Sequence, residues 1–264
     1  MWYAVLTRDL DSAFGTNINW RLYIENPQRR PPIVGDVRLY DRGYRATTDP
    51  MKTPWLGMRV FEVDVDEPPV KSANGIGMWS TMGLGRERPD LVPGWWHKVE
   101  TFLDEVRRFP WLDPQDDPLP SWRLFETRRE AIGGAGDALF SSAWRAARNS
   151  SYRIRAVAER ESAAAGRVRA FNMACDIAHT RALVSASDTL CDLDPKLEVA
   201  LDAARDITAW AAVLVCDDLN LPPRYVEHAA RCLDAWRRGY GVLGVFGLFR
   251  SLNGTLYVYK GIEG

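Results

Sequence analysis

Lysine is scarce in this chain of 264 residues: 5 lysines stand beside 29 arginines, and the formal net charge is −1. The bias points to a GC-rich bacterial genome, or a phage of such a host. The near-zero balance excludes a global pull toward nucleic acid or an anionic membrane, so a partner of either kind has to be met by a local patch. Long apolar runs are missing too. Nowhere do eighteen apolar residues follow one another, the length a membrane helix needs. The opening "MWYAVLTRDL" has neither the basic start, the apolar stretch nor the small-residue cleavage site of a signal peptide. The protein is therefore expected in the cytoplasm, with no membrane contact.

Chemistry-bearing motifs are equally sparse. Cys175, Cys191, Cys216 and Cys232 sit 16, 25 and 16 positions apart, with no CxxC pair and no histidine cluster beside them. That spacing does not fit zinc, and in a reducing compartment it suits small buried helix residues. His97, His179 and His228 fall within helical patterns and form no HExxH pair. For His228 a surface or satisfied core position is the simplest role. No GxSxG or SxxK is present, and "AIGGAGDALF" (131–140) lacks both a third spaced glycine and a following GK[ST]. It is expected to be a loop entering a helix, with Asp137 as N-cap. No metal and no cofactor are expected. Enzyme and binding protein both stay open, because sites assembled from distant residues leave no local motif.

What the chain does have is 46% apolar and 11% aromatic residues, enough for a sizeable core. Residues 1 to about 94 have the composition of short strands and turns. "WYAVLT" (2–7), "WRLYIE" (20–25), "VRLY" (37–40) and "MRVFEVDV" (58–65) are rich in β-branched and aromatic residues, which fits strands. "NPQRRPP" and "DEPP" end them, while "NGIG" and "GLGRERPD" suit loops. Trp95, Val99, Phe102, Leu103 and Val106 recur at helical spacing in the segment 95–109.

"PWLDPQDDPLP" (110–120) holds four prolines and three aspartates and is expected to be a linker. The expected division is a sheet-containing part at 1–120 and a helical part at 121–264, with one interlocked domain as the alternative. From about Asp137 the pattern is helical. Asp194 and Pro195 suit a helix start, with Leu197, Leu201, Ala204, Ile207, Ala211 and Leu214 on one inward face; a later helix turns Val226, Ala229, Leu233 and Trp236 inward. Trp144, Trp210 and Trp236 suit core positions that fill space left by alanine. Asn253-Gly254 between strand-like runs signals a hairpin. A hairpin cannot stand alone, so Leu256–Tyr259 is expected to return to the N-terminal sheet and pair with Trp2–Thr7. The fold class is α+β: a small, mostly antiparallel N-terminal sheet, an alanine-rich helical C-terminal half, and a terminal β-hairpin returning to the sheet.

Charge is uneven along the helical half. Ten arginines face five acids between Arg123 and Arg169, and eight acids face two bases between Ser187 and Asn220. The simplest account is complementary helix faces that steer neighbours together. The functional account is a basic stripe for nucleic acid, since Arg153, Arg160 and Arg167 repeat every seven residues.

The segments "TRDLDSAFGTNINW", "VGDVRLYDRGYRATTDP" and "RVFEVDV" resemble an uncharacterised domain family of phage and bacterial genomes. That family carries a Ser-Gly-Trp segment, a "GFHAS"-like turn, and a strand ending near an acid. Ser12, Gly15 and Trp20 match the first part, and Gly43, Tyr44, Ala46 and Thr47 the second. The helix and strand at "LNLPPRYVEHAARCLDAWRRGYGVL" and "NGTLYVYK" are similar as well. Arg45 stands where the family has histidine, so no proton transfer is carried over. The resemblance implies a phage or prophage-type intracellular protein and no particular activity. Separately, Arg8 in "LTRD" and Ser80-Thr81 in "WSTMG" look similar to the arginine and Ser-Thr elements of ADP-ribosyltransferases. The glutamate motif of those enzymes is not recognisable here.

The expected function is binding of a partner, whether nucleotide, nucleic acid or host protein; the alternative is an ADP-ribosyltransferase-like or other nucleotide-processing enzyme. The candidate binding site is Arg8, Asp9, Trp20, Arg42, Arg45 and Thr47. If strand order brings them to one edge, guanidiniums, hydroxyls and an indole suit an anion bearing a flat ring.

Overall fold

The computed structural model describes residues 1–12, 18–26, 29, 31–32, 43–53, 57–133, 138–189, 194–246 and 252–262. By contact the chain divides into two compact units, Met1–His97 and Lys98–Gly264. The class is α+β.

The first unit is built on a six-stranded sheet in which every neighbouring pair is antiparallel. Its strands are β1 (Tyr3–Leu6), β2 (Tyr44–Thr47), β3 (Arg59–Asp64), β4 (Lys71–Ala73), β5 (Ile76–Trp79) and β6 (Gly83–Glu87), in the order β4-β5-β2-β1-β3-β6. Alternation along the strands puts Ala4, Leu6, Tyr44, Ala46 and Phe61 on one face, where Leu10, Trp20, Trp79 and Met82 complete a buried cluster.

Three local expectations change here. "WRLYIE" is a helix, α1 (Arg21–Glu25), rather than a strand. The Trp20 carbonyl accepts from the Tyr23 and Ile24 amides at 3.0 Å each, and that turn packs Tyr23 and Ile24 against the same cluster. "NGIG" is a hairpin turn: Asn74 and Gly75 have φ of 53° and 76°, the left-handed pair that a two-residue turn between β4 and β5 requires. The start of "GLGRERPD" is the edge strand β6, paired to β3 through Val63↔Leu84 and Asp64↔Gly83. Residues 37–40 lie outside the described residues. Helix α2 (Gly94–Val106) forms as its spacing predicts, with Trp95, Val99, Phe102, Leu103 and Val106 all buried.

The second unit carries β7 (Trp122–Thr127), α3 (Arg128–Gly133), α4 (Ala138–Ala164), α5 (Val168–Thr189), α6 (Asp194–Val215), α7 (Pro223–Arg237), β8 (Gly241–Phe246) and β9 (Thr255–Gly261). Helix α6 packs on α4, α5 and α7. Both α5 and α6 bury small side chains, Ala174, Ala178 and Ala182 on the one and Ala200, Ala203 and Ala204 on the other. Leu197 and Leu201, expected inward, are 55% and 39% exposed; the alanine face permits the close approach, and the leucines fall outside it. Ala229, Leu233 and Trp236 of α7 are buried as the pattern implies. Trp210 is half-buried, and nothing is described of the Trp144 side chain.

The terminal hairpin forms, but it does not return to the N-terminal sheet. Strand β9 lies between β8, antiparallel, and β7, parallel, with Trp122↔Leu256 and Phe125↔Tyr259 in register. The expected pairing with Trp2–Thr7 is replaced because "WRLFET" at 122–127, which alternates weakly, supplies a nearer partner within the same unit. Pro110–Pro120 is likewise fastened inside this unit. Trp111 packs on Trp236 with ring centroids 5.5 Å apart, and the Tyr240 hydroxyl donates to the Asp116 carbonyl at 2.7 Å.

Candidate functional site

The sheet order decides which candidate residues meet. Beyond β1 the chain turns at Thr7–Asp11: the Leu10 amide bonds the Thr7 carbonyl at 3.1 Å and the Thr7 amide bonds the Asp11 carbonyl at 3.0 Å. Arg8 and Asp9 sit exposed at this tip. Asn19 ties it down, donating to the Asp9 carbonyl at 3.0 Å and to Asp11 Oδ1 at 2.9 Å. Trp20 is 1% exposed; its indole N–H donates to Ser12 Oγ at 2.9 Å and its ring meets Tyr44 edge-on at 5.5 Å. Alternation along β2 sends Arg45 and Thr47 to the face opposite Tyr44 and Trp20. Thr47 is buried and structural: its hydroxyl donates to the Asp49 carbonyl at 3.0 Å and accepts from the Asp49 amide at 3.1 Å. Arg42 lies outside the described residues. The five described candidates do not converge: Trp20 packs on the Tyr44 side of the sheet, and a strand sends Arg45 and Thr47 to the other.

A cleft of about 580 Å³ lies on the Trp20 side of the sheet instead. Its floor is aromatic, from Trp20, Tyr23, Phe61 and Trp79. One wall is the turn after β3, which brings Asp64, Asp66 and Glu67 to the rim, all exposed. This wall is fixed to the floor: the Trp79 indole N–H donates to the Glu67 carbonyl at 3.0 Å. Arg29 is the one described cation on the lining, and Ser80 and Thr81 close the end where β5 stops. Below the cleft, the Tyr44 hydroxyl donates to the Pro32 carbonyl at 2.7 Å, and burial pushes its pKa up to about 12. Aromatic rings beneath three carboxylates form a surface that attracts a cation by both its negative charge and its ring faces.

No family model, curated protein or solved structure matches the chain.

The helical unit holds a second polar arrangement, buried except for a small pocket of about 140 Å³ that Ser151, Asp202 and Arg205 line. Arg205 is buried between Asp202 and Asp206, donating to Asp202 Oδ1 at 3.1 Å and to Asp206 Oδ1 and Oδ2 at 2.9 and 3.2 Å. Arg128 reaches in from α3 to Asp202 Oδ2 at 3.2 and 3.1 Å and also pairs with Glu198. Ser151 donates to Asp206 at 2.6 Å, and the Trp236 indole does so at 3.4 Å. Burial lowers the Arg205 pKa, but the two carboxylates outweigh it and hold the guanidinium above its ordinary range; for Asp202 burial outweighs both arginines and raises the carboxyl. His228 Nε2 lies 3.0 Å from Ser150 Oγ and 3.8 Å from Cys232 Sγ, and burial pushes its pKa down to about 4. Ser150, His228 and Cys232 are each under 5% exposed, so this trio has no access to substrate.

The network was foreshadowed by the complementary charge blocks, since Arg128 and Arg167 of the basic block pair with Asp202 and Asp218 of the acidic one. The acidic wall of the cleft had no comparable signal, since "MRVFEVDV" suits a strand and "DEPP" its end. The proposed arginine stripe is split. Arg153 and Arg160 are exposed on α4, and Arg160 pairs with Glu161. Arg167 lies past the end of α4, bonded by both terminal nitrogens to Asp218. Among the described residues no group of three or more metal-binding side chains occurs, and no helix is long and apolar enough to cross a membrane.

Proposed function

We propose that this protein acts by binding a partner, and that the partner is a protein presenting an arginine or lysine side chain to the acidic aromatic cleft of the first unit. The observation that carries this is the composition of the cleft: Asp64, Asp66 and Glu67 line it together with Trp20, Tyr23, Phe61 and Trp79, and the Trp79 indole N–H fixes the backbone of that wall at the Glu67 carbonyl. A guanidinium lowered into the cleft gains ion pairing and a ring face at once. A nucleotide phosphate is disfavoured by the acidic rim, where Arg29 is the one cation among the described lining residues. This narrows the role expected of a phage or prophage-type protein to protein recognition. Tryptophan fluorescence titrated with an arginine-rich peptide is expected to saturate, and D64N/D66N/E67Q to weaken the affinity at least tenfold. Peptide binding unaffected by that triple variant, or nucleotide binding tighter than peptide binding, overturns it.

A second activity has one specific observation in its favour. Strands β1 and β5 both run antiparallel to β2 between them, so Thr7–Arg8 and Ser80–Thr81 leave the same edge of the sheet, and Ser80 and Thr81 line the cleft. That common edge is what supports the ADP-ribosyltransferase-like reading, although Arg8 itself is not on the cleft lining. Turnover of labelled NAD that disappears in Arg8→Ala supports it; no turnover in the unmodified protein removes it.

A further inference from the structure

On the helical unit a notch of about 420 Å³ is lined by Arg153 of α4, Arg224 and Tyr225 from the first turn of α7, and Leu252 ahead of β9. Arg153 and Arg224 are exposed, and neither pairs with a carboxylate among the described residues. Arg231 is committed, to the carbonyls of Leu252 and Gly254 at 3.4 and 2.9 Å, and further along the chain from Arg153, Arg160 pairs with Glu161 and Arg167 with Asp218. The Arg231 bonds hold Leu252, the buried apolar member, in place. Arg224 stacks on the Tyr225 ring, with its guanidinium carbon 5.0 Å from the centroid. One terminal nitrogen of that guanidinium donates to the Tyr225 hydroxyl at 3.4 Å, so the tyrosine holds it from the ring side. Glu227, one turn further along α7, does not line the notch.

We propose that this notch binds a nucleotide unit, with its phosphate between Arg153 and Arg224 and its base on the Arg224–Tyr225 stack. Two guanidiniums on separate helices suit a tetrahedral phosphate, which offers acceptors in several directions. A guanidinium backed by an aromatic ring is a base-stacking platform of the kind used for single strands. The amino end of α7 adds a favourable partial charge on the same side. The site is independent of the acidic cleft in charge, in ligand and in the unit that carries it. Its two possible sources are a single-stranded nucleic acid and a free mononucleotide.

Fluorescence anisotropy of a labelled oligothymidylate, with adenosine monophosphate as competitor, tests the proposal. The double variant R153A/R224A is expected to lose at least tenfold in affinity, and the slope of log affinity against log salt to shrink by about 0.7, the value for one lost phosphate contact. Arg160→Ala, which removes one positive charge from the same helix, is the control and is expected to bind within twofold of the parent. Displacement by the mononucleotide assigns the site to free nucleotides; oligomer binding without displacement assigns it to nucleic acid. Oligomer binding unchanged in R153A/R224A, or weakened equally by Arg160→Ala, overturns the site. D64N/D66N/E67Q leaves this assay unaltered, so failure here and failure of the acidic cleft are read separately.

Discussion

Ser151 and Asp206 meet at 2.6 Å between α4 and α6, both under 5% exposed, and Asp206 turns its remaining capacity to Arg205. The hydroxyl and the guanidinium together satisfy a carboxylate that is otherwise costly to bury.

Removing Asp206 leaves Arg205 buried with half of its neutralising charge. Asp206→Ala is expected to lower unfolding free energy by about 3 to 5 kcal/mol, whereas Ser151→Ala, which removes one donor, costs about 1 to 3 kcal/mol. Urea denaturation of the two variants checks the ranking, and a larger loss in Ser151→Ala contradicts it.

His228 makes stability fall with acid. Its folded pKa is about 4, depressed by burial, against about 6.5 unfolded. Between those values the unfolded chain takes up a proton that the folded protein refuses. The contribution is fully present above about pH 6.5 and is lost as pH falls toward 4. Between pH 7 and pH 5 the loss from this one group is about 2 kcal/mol. His228→Gln is expected to flatten that part of the pH–stability curve; an unchanged slope refutes the assignment.

Gly239 closes α7 with a φ of 84°. The Tyr240 amide bonds the Ala235 carbonyl and the Gly239 amide bonds the Trp236 carbonyl, both at 3.0 Å, the two-bond ending that favours glycine. An added Cβ runs into the Asp113 carbonyl group of the proline-rich segment. Gly239→Ala is expected to cost about 2 to 4 kcal/mol, more than the left-handed backbone alone accounts for. Thermal unfolding measures it, and a cost below about 1 kcal/mol shows that the segment yields.

Cys175, Cys216 and Cys232 are buried free thiols. Burial pushes the Cys175 pKa up to about 12 and raises the other two. Thiolate is the reactive form. Peptide-resolved labelling with a maleimide is expected to leave these three unmodified in the native protein and to modify them in urea. Native labelling at any of them at the urea rate contradicts their burial.

Much of this fold was legible where periodicity and packing agree. "MRVFEVDV" alternates and is a strand, and Trp95 to Val106 keep helical spacing and are buried on it. Legibility failed where a distant partner decides. Residues 20–25 have strand composition, yet Trp20 needs Tyr44 beneath it and Tyr23 beside it, and only a helical turn supplies both. "GLGRE" looks too glycine-rich for a strand until β3 provides a ladder. The Asn-Gly signal was given weight at 253–254, whereas at 74–75 the flanks "KSA" and "IGMW" are too short to declare themselves. For the site, Trp20 is central but as part of the floor, and Arg45 faces away. Side-chain direction depends on which face of β2 is covered, and that is set by strands far along the chain.

Arg123 and Tyr257, side by side across the β7–β9 ladder, are 134 positions apart. Closing so long a loop costs on the order of 4 kcal/mol in chain entropy, repaid only when the helices between the two strands have already collapsed. The expected order of assembly is that α4 to α7 condense first and the parallel ladder, a high-contact-order step, locks last. Helical ellipticity is then recovered ahead of the environment of Trp122, whose strand waits for the far end of the loop.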